Sequence, residues 1–242
     1  SLSIPLRSRI FLLSIFICLL FSIGSCNHSN EKSQVQENFS GQLVRIDLND
    51  SNFSDLNLHS ADTLTQNGWS IKYLIKNDST KYNDIYIEWS KGNIKGIYKA
   101  ESVLQFRRYF IPQYVGENDN YLFLKHGCAT DCSGILVLSK DSTFSQDYIR
   151  VIDYNIPNGQ VVYVTEVGTK DDSPFQVAVV DLPKHLEHLA QFKNLCMYAS
   201  HKESCIDTIV FKKDLVSIKA TLTIDNSFRN KEVSEELKIS LK

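Results

Sequence analysis

The chain has 242 residues, of which 43% are hydrophobic and 22% charged, with 28 acidic against 26 basic side chains. These proportions are typical of a globular protein and argue against a disordered or fibrous chain. The near-neutral charge argues against a nucleic-acid binder, because no dense Lys/Arg face is available to displace counterions from phosphates. The 10 glycines are too scattered to form a phosphate-cradling loop. We therefore expect neither nucleic acid among the partners nor a bound cofactor.

The first segment of the chain combines two basic residues with a short apolar run. Arg7 and Arg9 precede the uncharged residues 10–23, and the small residues Gly24 and Ser25 follow. As a helix this run spans about 21 Å, less than the roughly 30 Å hydrocarbon core of a bilayer. A basic start, a short apolar run and small residues before the cleavage point are typical of a secretory signal peptide. The pattern therefore predicts that residues 1–25 are a signal peptide.

The four residues Ile23-Gly24-Ser25-Cys26 resemble the lipobox of bacterial lipoproteins, in which an aliphatic residue and two small residues precede a Cys. In that class the Cys sulfur carries diacylglycerol, the leader is cut before the Cys, and the new amino group is usually acylated. The resemblance implies that Cys26 is lipidated and anchors the mature chain to the outer membrane. Two or three acyl chains anchor a protein stably to a bilayer, whereas a single chain binds only marginally. A plain secretory signal or an uncleaved anchor is the alternative. Because the only methionine is Met197, we also expect the printed reading frame to be truncated or to start at the wrong codon.

The segment that follows Cys26 is polar. Residues 27–41 read NHSNEKSQVQENFSG and contain two large apolar side chains. Such a segment cannot bury enough apolar surface to offset the ordering of the chain, so residues 26–41 are predicted to be a flexible tether. In Bacteroidota lipoproteins an acidic run just after the Cys is associated with export to the cell surface. Here only Glu31 stands near that position, so the periplasmic and the surface face of the outer membrane both stay open.

From residue 42 onward the apolar residues recur with a period near two, which is typical of half-buried strands. Trp69, Ile71 and Tyr73 alternate with polar neighbours, and turn residues such as Gly159 separate the segments. The predicted strands are residues 43–48, 69–75, 85–89, 94–98, 121–125, 134–139, 148–153, 161–166, 175–181, 206–211, 215–224 and 236–241.

About a dozen short strands exclude a doubly wound α/β enzyme, in which strands and helices alternate. We predict a mainly β fold, an antiparallel β-sandwich or meander sheet with one short helix, with residues 42–242 as a single domain. A partial propeller-like arrangement is the competing topology, but the sequence has no fixed-period repeat to support it.

One short helix is predicted around Pro183, since proline favours the first helical turn. Leu186 and Leu189 would form its apolar side. His185 and His188 would share one face at positions i and i+3, which is a workable start for a metal site but not the i, i+4 spacing of zinc proteases. We interpret these histidines as exposed polar residues.

The mature body contains four cysteines in two sequence-local pairs, Cys128 with Cys132 and Cys196 with Cys205. An even number in an exported chain implies disulfides. Four cysteines allow three pairings, and the sequence-local one is the simplest. These bonds would fix two turns in place.

The first cysteine pair also supports an alternative. Cys128 and Cys132, together with the nearby His126, could form a redox dithiol or a Cu(I) or Zn site, because thiolate and imidazole ligands suit those ions. The loop superficially resembles the Cys-x-x-x-Cys loop of copper chaperones, but the strand–helix–strand context of that family is missing. We favour structural disulfides and expect no bound metal.

The sequence has no Gly-x-Ser-x-Gly elbow and no convincing Ser-x-x-Lys motif. Carboxylates such as Asp147 are plentiful, but their separation in space cannot be read from a sequence.

We therefore predict a cell-envelope lipoprotein whose body is a non-catalytic binding or assembly module, with another envelope protein or a glycan as its partner. The glycan alternative predicts an exposed row of rings that includes Trp69, Trp89 and Tyr109.

Overall fold

The structure is a computed structural model that describes residues 43–45, 62–76, 85–100, 110–129, 132–165, 176–196, 201–224 and 231–242. The predicted signal peptide, Cys26 and the predicted tether lie outside these ranges, which belong to one compact unit, Gly41–Lys242. The 3₁₀ segments Leu182–Lys184 and Lys202–Cys205 lie between strands of the described ranges. None of the described helical segments has the length and apolar character needed to cross a membrane.

The strands of the described ranges form four antiparallel sheets, and each sheet is built from strands that are close in the chain. Sheet I contains β1 (Leu43–Arg45), β2 (Thr63–Leu64), β3 (Ser70–Lys76), β4 (Ile85–Lys91) and β5 (Ile94–Lys99). Sheet II contains β6 (Gln113–Glu117), β7 (Tyr121–Ala129), β8 (Cys132–Ser139) and β9 (Ser145–Ile149). Sheet III contains β10 (Val151–Asn155), β11 (Gln160–Val164), β12 (Gln176–Asp181) and β13 (Leu186–Gln191). Sheet IV contains β14 (Ile206–Lys212), β15 (Leu215–Ile224) and β16 (Lys231–Ser240). The predicted mainly β fold with antiparallel meanders is confirmed.

The four sheets pack face to face in chain order through three apolar cores. The core between sheets I and II includes Trp69, Ile71, Ile87, Trp89, Leu122, Leu124, Leu136 and Leu138. The core between sheets II and III includes Phe123, Ile135, Val137, Val161 and Val180. The core between sheets III and IV includes Val162, Val164, Val177, Val179, Val216, Ile218, Ala220 and Leu222. Successive side chains of a strand point to opposite faces, so sheets II and III each contribute to two cores.

The far face of sheet IV is open to solvent. Thr208, Val210, Lys219, Thr221 and Glu236 are exposed on it, and Thr208, Lys219 and Glu236 lie opposite one another across the three strands. The stack therefore ends at sheet IV.

The short helix begins where the sequence predicts it but ends after one turn. Pro183 lies in the first turn of the 3₁₀ segment, and His185 closes it in a left-handed conformation with φ 54°. The following residues form β13, which pairs along its whole length with β12. The predicted apolar helix face is therefore wrong: Leu186 and Leu189 are exposed on an edge strand, and His188 lies on this strand rather than on a helix. The backbone groups of residues 186–191 are paired with β12 instead of with one another.

The predicted strand 148–153 is divided between two sheets. Arg150 has a positive φ of 57°, a conformation that interrupts an extended chain. Its guanidinium pairs with Glu203 at 3.0 Å. β9 ends just before Arg150 in sheet II, and β10 begins just after it in sheet III.

Candidate functional site

The hairpin of β7 and β8 brings His126, Cys128 and Cys132 to one end of sheet II. Its strands pair from Tyr121 opposite Ser139 onward, and the register shifts just before Ala129 pairs with Cys132. The shift makes Cys128 the extra residue of a β-bulge. We call Cys128 and Cys132, at the end of this hairpin, the hairpin tip.

The described part of the chain contains two disulfides, and both join the sequence-local pairs. Cys128 and Cys132 are bonded with their Cα atoms 5.2 Å apart, and Cys196 and Cys205 with theirs 5.9 Å apart. The environments of the two bonds differ. Cys196 and Cys205 are 2% and 4% exposed and belong to the core between sheets III and IV, whereas both cysteines of the hairpin tip are only half-buried.

His126 lies flat across the neighbouring strand because that strand has a glycine opposite it. Gly134 pairs with His126, and a Cβ on Gly134 would lie 2.3 Å from Cε1 of the ring. Without that Cβ the ring crosses β8, and its Nε2 lies 2.7 Å from Oδ1 of Asp147 on β9. The other ring nitrogen, Nδ1, lies 2.7 Å from the carbonyl oxygen of Gly127. The side chain of His126 is fully buried.

A tyrosine from the adjacent sheet completes this group. The hydroxyl of Tyr98 on β5 donates to Oδ2 of Asp147 at 2.9 Å. The resulting chain of His126, Asp147 and Tyr98 joins sheet II to sheet I at the margin of their shared core. We call it the His126–Asp147–Tyr98 chain.

The ring of His126 is engaged at both nitrogens, Nδ1 by the carbonyl oxygen of Gly127 and Nε2 by the carboxyl group of Asp147. Neither nitrogen is therefore directed at a metal ion or a substrate. Cys128 and Cys132 are bonded to each other, so neither sulfur is a thiolate ligand. Within the described ranges no group of three or more His, Cys, Asp or Glu side chains is placed to hold a metal ion.

A second buried polar group lies at the junction of sheets I and II. Nζ of Lys140 lies 2.6 Å from Oε2 of Glu117, and both side chains are less than 10% exposed. Glu117 also accepts a hydrogen bond from the backbone N–H of Asn67 at 3.1 Å. Burial by itself raises the pKa of Glu117, but the hydrogen bonds from Lys140, Asn67 and Thr65 outweigh it and lower the pKa. This group therefore acts as a charged tie between the two sheets.

The aromatic residues proposed for glycan binding are not on the described surface. Trp69 and Trp89 are 4% and 0% exposed and belong to the core between sheets I and II. The indole N–H of Trp89 donates to the carbonyl oxygen of Ser139 at 2.7 Å, and the ring covers Gly96, where a Cβ would lie 2.1 Å away. Tyr109 lies outside the described residues.

One aromatic pair that the sequence analysis missed lies at the edge of sheets II and III. The rings of Tyr148 and Tyr163 are tilted, with centroids 5.7 Å apart, and the hydroxyl of Tyr163 donates to Glu187 at 2.9 Å. Burial, followed by the charge of Glu187, raises the pKa of both phenols. The alternation of each strand was visible in the sequence, but nothing in it placed three separate strands side by side.

Comparison with protein-family models, with curated proteins and with solved structures found no match. The structure defines the class: a mainly β protein of four stacked antiparallel meanders with two local disulfides. Its function is therefore argued from these features and from the sequence.

Proposed function

We propose that this protein is a cell-envelope lipoprotein, anchored to the outer membrane through lipid on Cys26, whose four-sheet body is a non-catalytic binding or assembly module. The two closed disulfides of the body are the observation that supports it best. Disulfides form and persist in oxidising compartments such as the periplasm and the cell surface and are rare in the cytosol. They fit an exported chain, as the lipobox resemblance implies.

The binding role rests on the arrangement of the buried polar groups. A general base needs an atom that can accept a proton from the substrate. Both ring nitrogens of His126 are held by acceptors within the protein, and Glu117 is held by Lys140. These groups therefore hold the sheets together and are poorly placed to react with a substrate.

An envelope protein is favoured over a glycan as the partner. Sugar binding through stacking needs ring faces open to solvent, and both tryptophans are in the core. The open side of sheet IV instead offers mixed polar and charged side chains across β14, β15 and β16, which can form hydrogen bonds and ion pairs with a protein without any exposed ring.

Metabolic labelling with an alkyne analogue of palmitate tests the anchor. We expect the wild-type chain to be labelled and to fractionate with membranes, and Cys26→Ser to lose the label. Cys18→Ser is the matched control, because it removes a cysteine of the same leader and should leave labelling unchanged. Equal labelling of Cys26→Ser and wild type, or no labelling of wild type, would contradict the proposal.

The non-catalytic role has a separate test. Cross-linking in intact cells followed by purification should recover a stoichiometric envelope protein with the wild-type chain. Turnover of an envelope substrate by the purified protein, abolished in a folded His126→Asn variant, would instead show that the body is an enzyme.

A further inference from the structure

The two disulfides differ in how easily another thiol can reach them. Thiol–disulfide exchange requires a thiolate to approach one sulfur of the bond, so access to that sulfur decides whether exchange occurs in the folded protein. Cys196 and Cys205 lie within the core between sheets III and IV and are almost fully buried. The cysteines of the hairpin tip are half-buried and belong to none of the three apolar cores formed by the described residues.

The hairpin tip is held in place by contacts that do not involve its sulfurs. The ladder between β7 and β8 extends from Tyr121 to Gly127, which pairs with Ser133. Just below the tip, His126 is fixed by the carbonyl of Gly127 and by Asp147. Breaking the sulfur–sulfur bond therefore leaves both cysteines on one preserved hairpin, within reach of each other.

A β-bulge lies at the reacting residue. Cys128 is the extra residue between two paired positions of β7, so its backbone lies outside the regular ladder. Of the two disulfides in the described residues, only this one combines partly exposed cysteines, a hairpin held by other contacts and a residue outside the ladder.

We propose that Cys128–Cys132 is a thiol–disulfide exchange site that oxidises dithiols, while Cys196–Cys205 is a permanent structural bond. A thiolate of the incoming dithiol attacks one sulfur of the tip, the Cys128–Cys132 bond breaks, and a mixed disulfide forms as the other cysteine leaves as a thiolate and takes up a proton. The second thiol of the dithiol then loses its proton and attacks the mixed disulfide. The dithiol departs as a disulfide, and two thiols remain on this chain, which has gained two electrons and two protons. The exchange as written is stoichiometric, one dithiol per chain, so it adds a redox step to the proposed binding role without making the body a catalyst, and it is independent of lipid on Cys26.

A redox titration of the folded wild-type protein tests the proposal. The protein is equilibrated with buffers of reduced and oxidised dithiothreitol, quenched with an alkylating reagent and mapped by mass spectrometry, and its fold is followed by circular dichroism. We expect Cys128 and Cys132 to become alkylated reversibly while the spectrum stays unchanged. Cys196 and Cys205 should stay bonded until the protein is denatured. Reduction of both pairs together, or reduction of the tip only on unfolding, would overturn the proposal.

Trapping with glutathione disulfide supplies a second measurement. Cys132→Ser leaves Cys128 as a thiol at the tip, and we expect it to form a glutathione adduct that dithiothreitol removes. In the matched control, Cys205→Ser, Cys196 should react on the order of 100-fold more slowly, because a buried thiol reacts only after local opening. Equal adduct rates in the two folded variants would contradict the assignment. If Cys205→Ser fails to fold, the wild-type titration decides, since it compares the same two pairs without a substitution.

Discussion

Sheets II and III differ from sheet IV in the number of faces that they bury, although all are antiparallel meanders. The strands of sheets II and III contain unbroken apolar runs, Ile135–Leu136–Val137–Leu138 and Val177–Ala178–Val179–Val180, and every one of these side chains is buried. β15 instead alternates buried Val216, Ile218 and Ala220 with the polar residues between them. In these three sheets the strand pattern reports how many faces are covered: the continuous apolar runs of sheets II and III lie between two layers, and the alternation in β15 marks a sheet with one face open to solvent.

The largest expected loss of stability comes from a residue in a sheet that is buried on both faces. Phe123→Ala removes a fully buried ring from the core between sheets II and III, and we expect a loss of about 3–5 kcal/mol in the free energy of unfolding. Val210→Ala on the exposed face of sheet IV should change it by less than about 0.5 kcal/mol. Urea denaturation of both variants measures the difference. Similar losses in both would mean that sheet IV is covered in solution and that the comparison fails.

A smaller loss of stability is expected from a substitution at Gly134, where sheet II accommodates the ring of His126. Gly134→Ala places a methyl group against a buried ring that is fixed by two hydrogen bonds, so we expect a loss of about 1–3 kcal/mol from overpacking. A double-mutant cycle with His126→Ala gives the control, because the clash disappears when the ring is removed. Additive effects of the two substitutions would show that the ring does not cross Gly134.

The smallest expected effect is on the pH dependence of stability, and it compares a buried carboxylate of sheet II with an exposed one of sheet IV. The pKa of Glu117 is lowered because hydrogen bonds from Lys140, Asn67 and Thr65 outweigh its burial. Its contribution to stability is therefore complete above the unfolded pKa, near the ordinary value of 4.5, and is lost as the pH falls through the lower, folded pKa. Glu117→Gln should flatten the acid limb of a stability–pH profile.

Glu236 is the matched control for this titration. Its pKa is also lowered, first by a hydrogen bond from Ser217, but the group is exposed on sheet IV. Salt should therefore screen its effect, whereas the effect of Glu117 should persist at high salt. Identical salt dependence of the two Gln variants would show that Glu117 is solvated.

Only part of the candidate site could be predicted from the sequence. Cys128, Cys132 and His126 are close in the chain, so their proximity was predictable. Gly134, within an otherwise apolar strand, is a signal of close approach that the sequence analysis did not use. The partners Asp147 and Tyr98 could be named but not placed, because they come from β9 and from another sheet.

The amino-acid sequence by itself determined the local features: strand period, turns, the two neighbouring cysteine pairs, and the leader pattern that predicts export. These depend on residues within a few positions of each other, where backbone geometry and solvation act directly. Only the tertiary structure decided that the meanders stack as four layers, that β13 is a strand, and that one disulfide is buried while the other is half-buried. Those outcomes depend on which faces meet, and a face is defined by side chains that are distant in the chain and become neighbours only when the cores form.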